Sequence, residues 1–211
     1  VPFNLSGRRV WVAGHTGMVG SAVVRRLASE QVNILTVGRR DLDLRRQADV
    51  EAWMAAARPE SIIIASATVG GILANSTRPA EFIYDNLMIE ANIISAAHEL
   101  GVERLLFLGS TCIYPRLAPQ PMVEEALLSG PLEPTNQWYA IAKIAGIKLC
   151  QAFREQYGDD FISAMPTNLY GPADNFDLTS SHVVPALMRK MDEAKMKRAT
   201  SVEVWGTGKP T

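Results

Sequence analysis

Short runs of β-branched and aliphatic residues alternate along the chain with longer segments whose apolar positions recur every three or four residues. Val10-Trp11-Val12-Ala13, Ile62-Ile63-Ile64 and Leu105-Leu106-Phe107-Leu108 are apolar at successive positions, not at every second one. A strand apolar on both faces belongs inside a parallel sheet that is covered on both sides. On this pattern strands are expected over 9–13, 34–38, 61–65, 104–108, 160–165 and 202–205. Helices are expected over 17–29, 47–57, 79–100, 136–157 and 182–197, the third of them stopped by Gly101. The repeated strand–helix order predicts an α/β fold with a Rossmann-type doubly wound parallel sheet. No internal repeat or low-complexity segment breaks the alternation.

Composition narrows the class without deciding the function. The 211 residues are 47% hydrophobic and 20% charged, enough apolar material for a sizeable core. A net charge of -1 with no basic block argues against nucleic acid and against an anionic membrane surface as partners. The longest apolar stretch, 62–74, is interrupted by Ser66, Thr68, Gly70 and Gly71 and is too short to span a bilayer. Residues 1–9 lack the layout of a signal peptide, and two cysteines, Cys112 and Cys150, make no disulfide framework. A cytoplasmic protein with reduced thiols is expected, and no metal site.

Gly14-His15-Thr16-Gly17-Met18-Val19-Gly20 falls between the first strand and the first helix. Glycines there allow a tight turn and close approach of backbone to a pyrophosphate, and the helix start supplies N–H donors. The spacing is G-x-x-G-x-x-G, so its position carries more weight than its pattern. His15 is expected to support the loop. Arg39 and Arg40 follow the second strand, where arginine would accommodate a 2′-phosphate; Asp41 is the competing signal for NAD. NADP(H) is the expected cofactor. Asp43 and Leu44 are placed beside the adenine, the carboxylate on its amino group, or else they merely start the next helix.

Tyr139 and Lys143 stand four residues apart on a predicted helix and so share a face. An ammonium beside a phenol lowers its pKa toward working pH, which suits a proton donor in carbonyl reduction. Ser110, just after a strand, can hydrogen-bond the same carbonyl oxygen. Cys112 is surplus to reduction. In an extended chain it would point the same way as Ser110; the alternative is a small buried apolar residue. Cys150, near Ile147 and Phe153, is read as core, and His98 as surface or interface.

The segments G-S-T-C-I-Y-P (109–115), E-P-T-N (133–136), Y-A-I-A-K-I-A-G (139–146), P-T-N-L-Y-G-P-x-D-N-F (166–176) and S-H-V-x-P-A-L (181–187) carry a resemblance. The chain resembles the extended short-chain dehydrogenase/reductases, and within them the GDP-L-fucose synthase family, which performs 3,5-epimerisation and then 4-keto reduction. The resemblance runs over nearly the whole chain. It implies an NADPH enzyme acting on a GDP-sugar, with Ser110, Tyr139 and Lys143 at the carbonyl, Cys112 as base and His182 as acid. The alternative for His182 is a polar group that starts a helix.

The same resemblance implies cofactor contacts from Ala65, Ser66, Ala67, Leu108, Gly109, Lys143, Pro166, Thr167, Asn168, Leu169 and His182. Substrate contacts are implied from Val69, Gly70, Ser110, Cys112, Asn168, Val183, Lys190 and Trp205, the last two near the GDP. Lys190 stands where arginine is frequent and lacks its fork for phosphate. Thr68 stands where a lysine is sometimes found, and Asn86 is expected to support the site. Residues 1–168 are read as the NADP-binding Rossmann domain and 169–211 as the start of a substrate-binding domain that the chain leaves incomplete. A homodimer through the helices starting near Pro79 and Asn136 is expected. Two rival readings stand: another nucleotide-sugar epimerase/4-reductase, and a non-catalytic NADP-binding protein.

Overall fold

The computed structural model describes residues 3–204. Its sheet has five parallel strands, β1 (Arg9–Ala13), β2 (Asn33–Leu35), β3 (Ser61–Ile64), β4 (Arg104–Leu108) and β5 (Phe161–Ala164). The helices are α1 (Met18–Leu27), α2 (Gln47–Ala57), α3 (Ile72–Thr77), α4 (Pro79–Glu99), α5 (Gln137–Tyr157) and α6 (Val183–Met196). Spatial strand order is β2-β1-β3-β4-β5, with Trp11 beside both Leu35 and Ile62, Ile62 beside Leu105, and Leu106 beside Ile162.

The order reverses direction between β1 and β3. From β1 the chain moves outward to β2, then crosses back to β3 and continues to β5 on the other side. At such a switch point the loops leaving the two central strands diverge, which opens a crevice at their carboxyl ends.

Successive strand residues face opposite layers. Val10 and Val12 pack with Leu27, Val23 and Val24 of α1, while Trp11 and Ala13 face the larger layer. That layer joins Ile62, Ile64, Leu105 and Phe107 to Val50 and Met54 of α2, Ile93 and Ile94 of α4, and Ile147 and Cys150 of α5. Full burial of one such side chain is worth roughly 1.5–3 kcal/mol, so this layer holds most of the apolar stabilisation. α4 starts at Pro79, whose fixed φ suits the first turn and which has no N–H to leave unsatisfied there.

Most expected elements form within two residues of their predicted ends. β2 stops at Leu35 instead of 38, because Asp41 and Leu42 N–H both bond Gly38 O in a turn that carries Leu42 into the core. α3 was not expected; six residues are too few to show a periodicity. Residues 202–204 form no strand, having no ladder partner, and Trp205 lies outside the described residues. Among the described residues no helix is long and apolar enough to cross a membrane.

Candidate active site

The glycine turn is a backbone cradle. Gly14 has φ +87, and a Cβ there would lie 2.7 Å from Ser66 N and 2.8 Å from the carbonyl carbon of Ala65, so the start of the β3 loop rests directly on it. A Cβ on Gly20 would fall 2.1 Å from Gly14 O, and Gly17 N–H bonds that same oxygen at 3.0 Å. Gly14, His15, Thr16, Gly17, Arg39, Asp43, Leu44, Ala65, Ser66 and Ala67 line one cleft, joined by Arg45, Thr68 and Asp85. His15 Nδ1 and Ser66 Oγ are buried there without a hydrogen-bond partner. Glycines at the close approach, helix N–H groups, polar atoms waiting for a partner and one arginine fit a dinucleotide with a phosphate on its ribose. Met18, Val19 and Gly20 form the first turn of α1. Arg40 is exposed and does not line the cleft.

Asp43, in the cleft wall, is also held within the protein. Its two oxygens accept Arg45 Nε at 3.0 Å and Nη2 at 2.8 Å, and Arg45 Nη1 reaches Asp85 at 3.1 Å. Arg45's hydrogen bond holds the Asp43 carboxyl down at about 2. Asp85 in turn accepts Thr68 Oγ1, and Asn86 clamps the Thr68 backbone through both its N–H and its C=O. The carboxylate assigned to adenine is thus engaged within the protein, where it fixes the cleft wall. Asn86 supports the site as anticipated, by holding the loop.

At the end of β4 the chain does not stay extended. Ser110 caps a 3-10 turn over Thr111–Ile113, its Oγ accepting the Cys112 N–H at 3.3 Å. A capping oxygen ties the local backbone back on itself, so the extended chain on which a side-by-side projection of Ser110 and Cys112 depended does not form. The turn nevertheless sets both against the start of α5. Asn136 Nδ2 donates to Cys112 Sγ at 3.2 Å, and Ser110 hydrogen-bonds the half-buried Tyr139. Burial, the neighbouring Cys112 and the charge of Glu90 push the Tyr139 phenol above its ordinary range.

Lys143 pairs with a carboxylate from α4. Its Nζ lies 3.0 Å from Glu90 Oε1 and 4.4 Å from the Phe107 ring centre, but 5.8 Å from that of Tyr139. Burial lowers the lysine below its usual range, partly offset by Glu90; burial raises Glu90 to about 7, partly offset by Lys143. Glu90 was missed from sequence, though a signal existed: it stands on the apolar face of α4, four residues after Asn86 and three before Ile93. Cys150 is core, as read, and burial pushes its thiol up to about 12.

The remaining candidates lie around this centre. Leu108 ends β4 and Gly109 follows it, while Pro166, Thr167, Asn168 and Leu169 come after β5, the last three exposed. Val69 is exposed, and Gly71 N–H bonds Ser180 O at 2.9 Å, joining the loop after β3 to the segment before α6. Asp177 shapes that segment by accepting Thr179 and Ser180 N–H groups, both at 3.0 Å. It ends at His182, the exposed N-cap of α6, followed by exposed Val183. Lys190 Nζ donates to Glu203 O at 3.0 Å.

The profile of the NAD dependent epimerase/dehydratase family matches residues 10–211. The chain belongs to this family. Among its members, a GDP-L-fucose synthase of Sinorhizobium fredii is 64% identical over 99% of this chain and 67% of its own length. The GDP-L-fucose synthase of Escherichia coli is 55% identical over 98% of this chain and 64% of its own. The chain therefore spans about two thirds of the length of these relatives. In solved structures, a GDP-L-fucose synthetase from Naegleria fowleri bound to NADP superposes with a TM-score of 0.85 at 33% identity, covering 100% of this chain and 69% of the other. A GDP-mannoheptose C4 reductase from Campylobacter jejuni with NADP bound gives 0.84 at 37%, covering 92% and 58%. Family membership agrees with the Rossmann-type sheet and the glycine cradle at its switch point.

Proposed function

We propose that this chain carries the cofactor-binding and catalytic part of an NADPH-dependent GDP-L-fucose synthase. The reaction epimerises C3 and C5 of GDP-4-keto-6-deoxy-D-mannose and reduces its C4 ketone. The observation that carries this reading is the meeting of a thiol, a hydroxyl and a phenol, Cys112, Ser110 and Tyr139, after the carboxyl end of β4, on the same edge of the parallel sheet as the glycine cradle. Reduction alone has no use for the thiol.

Gly14, Gly17, Gly20, Arg39 and Ser66 would hold NADPH, with Leu108, Gly109, Lys143 and 166–169 toward its nicotinamide end. Bound there, the cofactor supplies the hydride for C4. Ser110 and Tyr139 donate hydrogen bonds to the C4 oxygen and so stabilise the enolate that forms when a proton leaves C3 or C5. Cys112 as thiolate takes that proton and becomes the thiol. His182 as imidazolium returns one to the opposite face and becomes neutral imidazole. In the later reduction Tyr139, kept protonated by its raised pKa, gives its proton to the C4 oxygen.

Residues 1–168 form the cofactor domain in this reading. The segment from 169 begins the substrate domain; Val183 and Lys190 from that segment, with Val69, Gly70 and Asn168 from the cofactor domain, would contact the GDP-sugar. Exposed Tyr84, Trp138 and Ile141 on α4 and α5 support a homodimer through those helices. Identities of 64% and 55% to GDP-L-fucose synthases support this sugar.

The test is NADPH and GDP-4-keto-6-deoxymannose in heavy water. Oxidation of NADPH with deuterium at C3 and C5 of the product is expected. Oxidation with no deuterium at either carbon defeats the epimerase half.

A further inference from the structure

Asn136 sits at the position where a helix ordinarily takes its side-chain cap. Asparagine is among the best residues there, its oxygen accepting an N–H of the first turn for about 1 kcal/mol. In this protein it makes no such bond. Its backbone is held on both sides, Asn136 N–H on Glu133 O at 3.2 Å and Ala140 N–H on Asn136 O at 3.0 Å. The side chain turns instead to Cys112, Nδ2 on Sγ at 3.2 Å, and Oδ1 is left buried without a partner. A helix cap has been given up for a sulfur contact.

The direction of that contact matters. An amide N–H aimed at sulfur stabilises the thiolate, whereas the carbonyl end would favour the thiol and repel the anion. The Cys112 backbone is fixed independently by Ser110 Oγ, so the amide and the cap together set where the sulfur stands. Asn136, Tyr139 and Lys143 then occupy one stripe of α5 at spacings of three and four. The first residue of the stripe meets the thiol, the second the carbonyl position, and the third the buried Glu90.

We propose that Asn136 is a positioning residue for proton abstraction, donating its amide N–H to the Cys112 sulfur so that the thiolate is favoured and aimed. The base role of Cys112 belongs to the function proposed above; the donor role of Asn136 is new. Tyr139 is the titratable group that faces the sulfur, with the Glu90–Lys143 pair behind it.

Iodoacetamide alkylation reads the thiolate directly, since the thiolate displaces iodide to form a thioether. Cys150 is 1% exposed and stays silent, so mass spectrometry of the Cys112 peptide isolates one site. Between pH 6 and 10, Asn136→Ala should slow alkylation at pH 7 about tenfold and move its midpoint up by about one pH unit. Asn136→Asp, nearly isosteric but an acceptor and an anion, should move it further. NADPH affinity, followed by fluorescence, should stay within about twofold in both variants, which shows that they fold. Wild-type midpoints in both folded variants would overturn the proposal. The shift with no deuterium exchange in the wild type would leave Asn136 a thiolate donor and defeat the epimerase reading. Exchange in the wild type with unmoved midpoints would do the reverse.

Discussion

Lys143 Nζ stands 3.0 Å from Glu90 Oε1, and both side chains are 2% exposed. A charge so placed is costly to desolvate, and the pair is attractive only enough to offset part of that cost. Neither Glu90 oxygen has a well-aligned hydrogen bond, so the pair lacks the added bonds that make a buried ion pair stabilising.

Replacing both partners by uncharged groups of similar volume should therefore raise stability. The double variant Glu90→Gln/Lys143→Met is expected to gain about 1–4 kcal/mol at pH 7 by urea denaturation, while losing reductase activity. A double variant less stable than wild type would show that the pair holds the α4–α5 packing together.

The pair also writes a pH dependence. Glu90 titrates near 7 in the fold against 4.5 as its ordinary value. Its contribution to stability is full below about 4.5 and is lost as pH rises through 7, by up to about 3 kcal/mol. Lys143 is lowered, so its contribution is present above the usual lysine pKa and is lost as pH falls through its folded value. Urea titrations from pH 4.5 to 8 should show the wild type losing stability relative to Glu90→Gln. A constant difference between the two would refute the raised carboxyl.

Gly146 makes room for this pair. A Cβ there would lie 2.6 Å from Glu90 Oε2 and 2.6 Å from Phe107 Cζ. Alanine in a helix interior gains about 1 kcal/mol over glycine, but overpacking a core costs about 1–3 kcal/mol. Both neighbours are buried, so the cost should win. Gly146→Ala is expected to lower the melting temperature by several degrees, with a smaller fall in a Glu90→Gln background.

Two arginines at the cleft divide their work. Arg39 lines it, whereas Arg45 is spent on Asp43 and Asp85. Arg39→Ala should weaken NADPH by about 10- to 100-fold and leave NADH nearly unchanged. Arg45→Ala should weaken both alike, because it loosens the wall instead of removing a phosphate contact. Fluorescence titration with each dinucleotide separates the two; equal losses for Arg39→Ala would remove its assignment.

Much of this molecule follows from local pattern. Apolar runs fix the strands because a parallel strand is buried on both faces, and the glycine spacing before α1 fixes the cradle because backbone touches backbone there. The Tyr139–Lys143 spacing did place both on one helical face. It could not tell that Lys143 would pair with Glu90, since that partner comes from α4, fifty-three residues earlier in the chain. The condition for Ser110 and Cys112 to line up, an extended chain, was not met for a similar reason: a serine that caps its own turn looks the same in sequence as one in an extended loop.

What the sequence determined alone was therefore the order of elements, the switch-point cradle and the residue types available for chemistry, all set by periodicity and by the absence of Cβ atoms. Tertiary structure alone decided which groups meet, that Arg45 reaches Asp85, Lys143 reaches Glu90 and Asn136 reaches the Cys112 sulfur. Those pairings depend on distances between segments remote in the chain, which local periodicity does not encode.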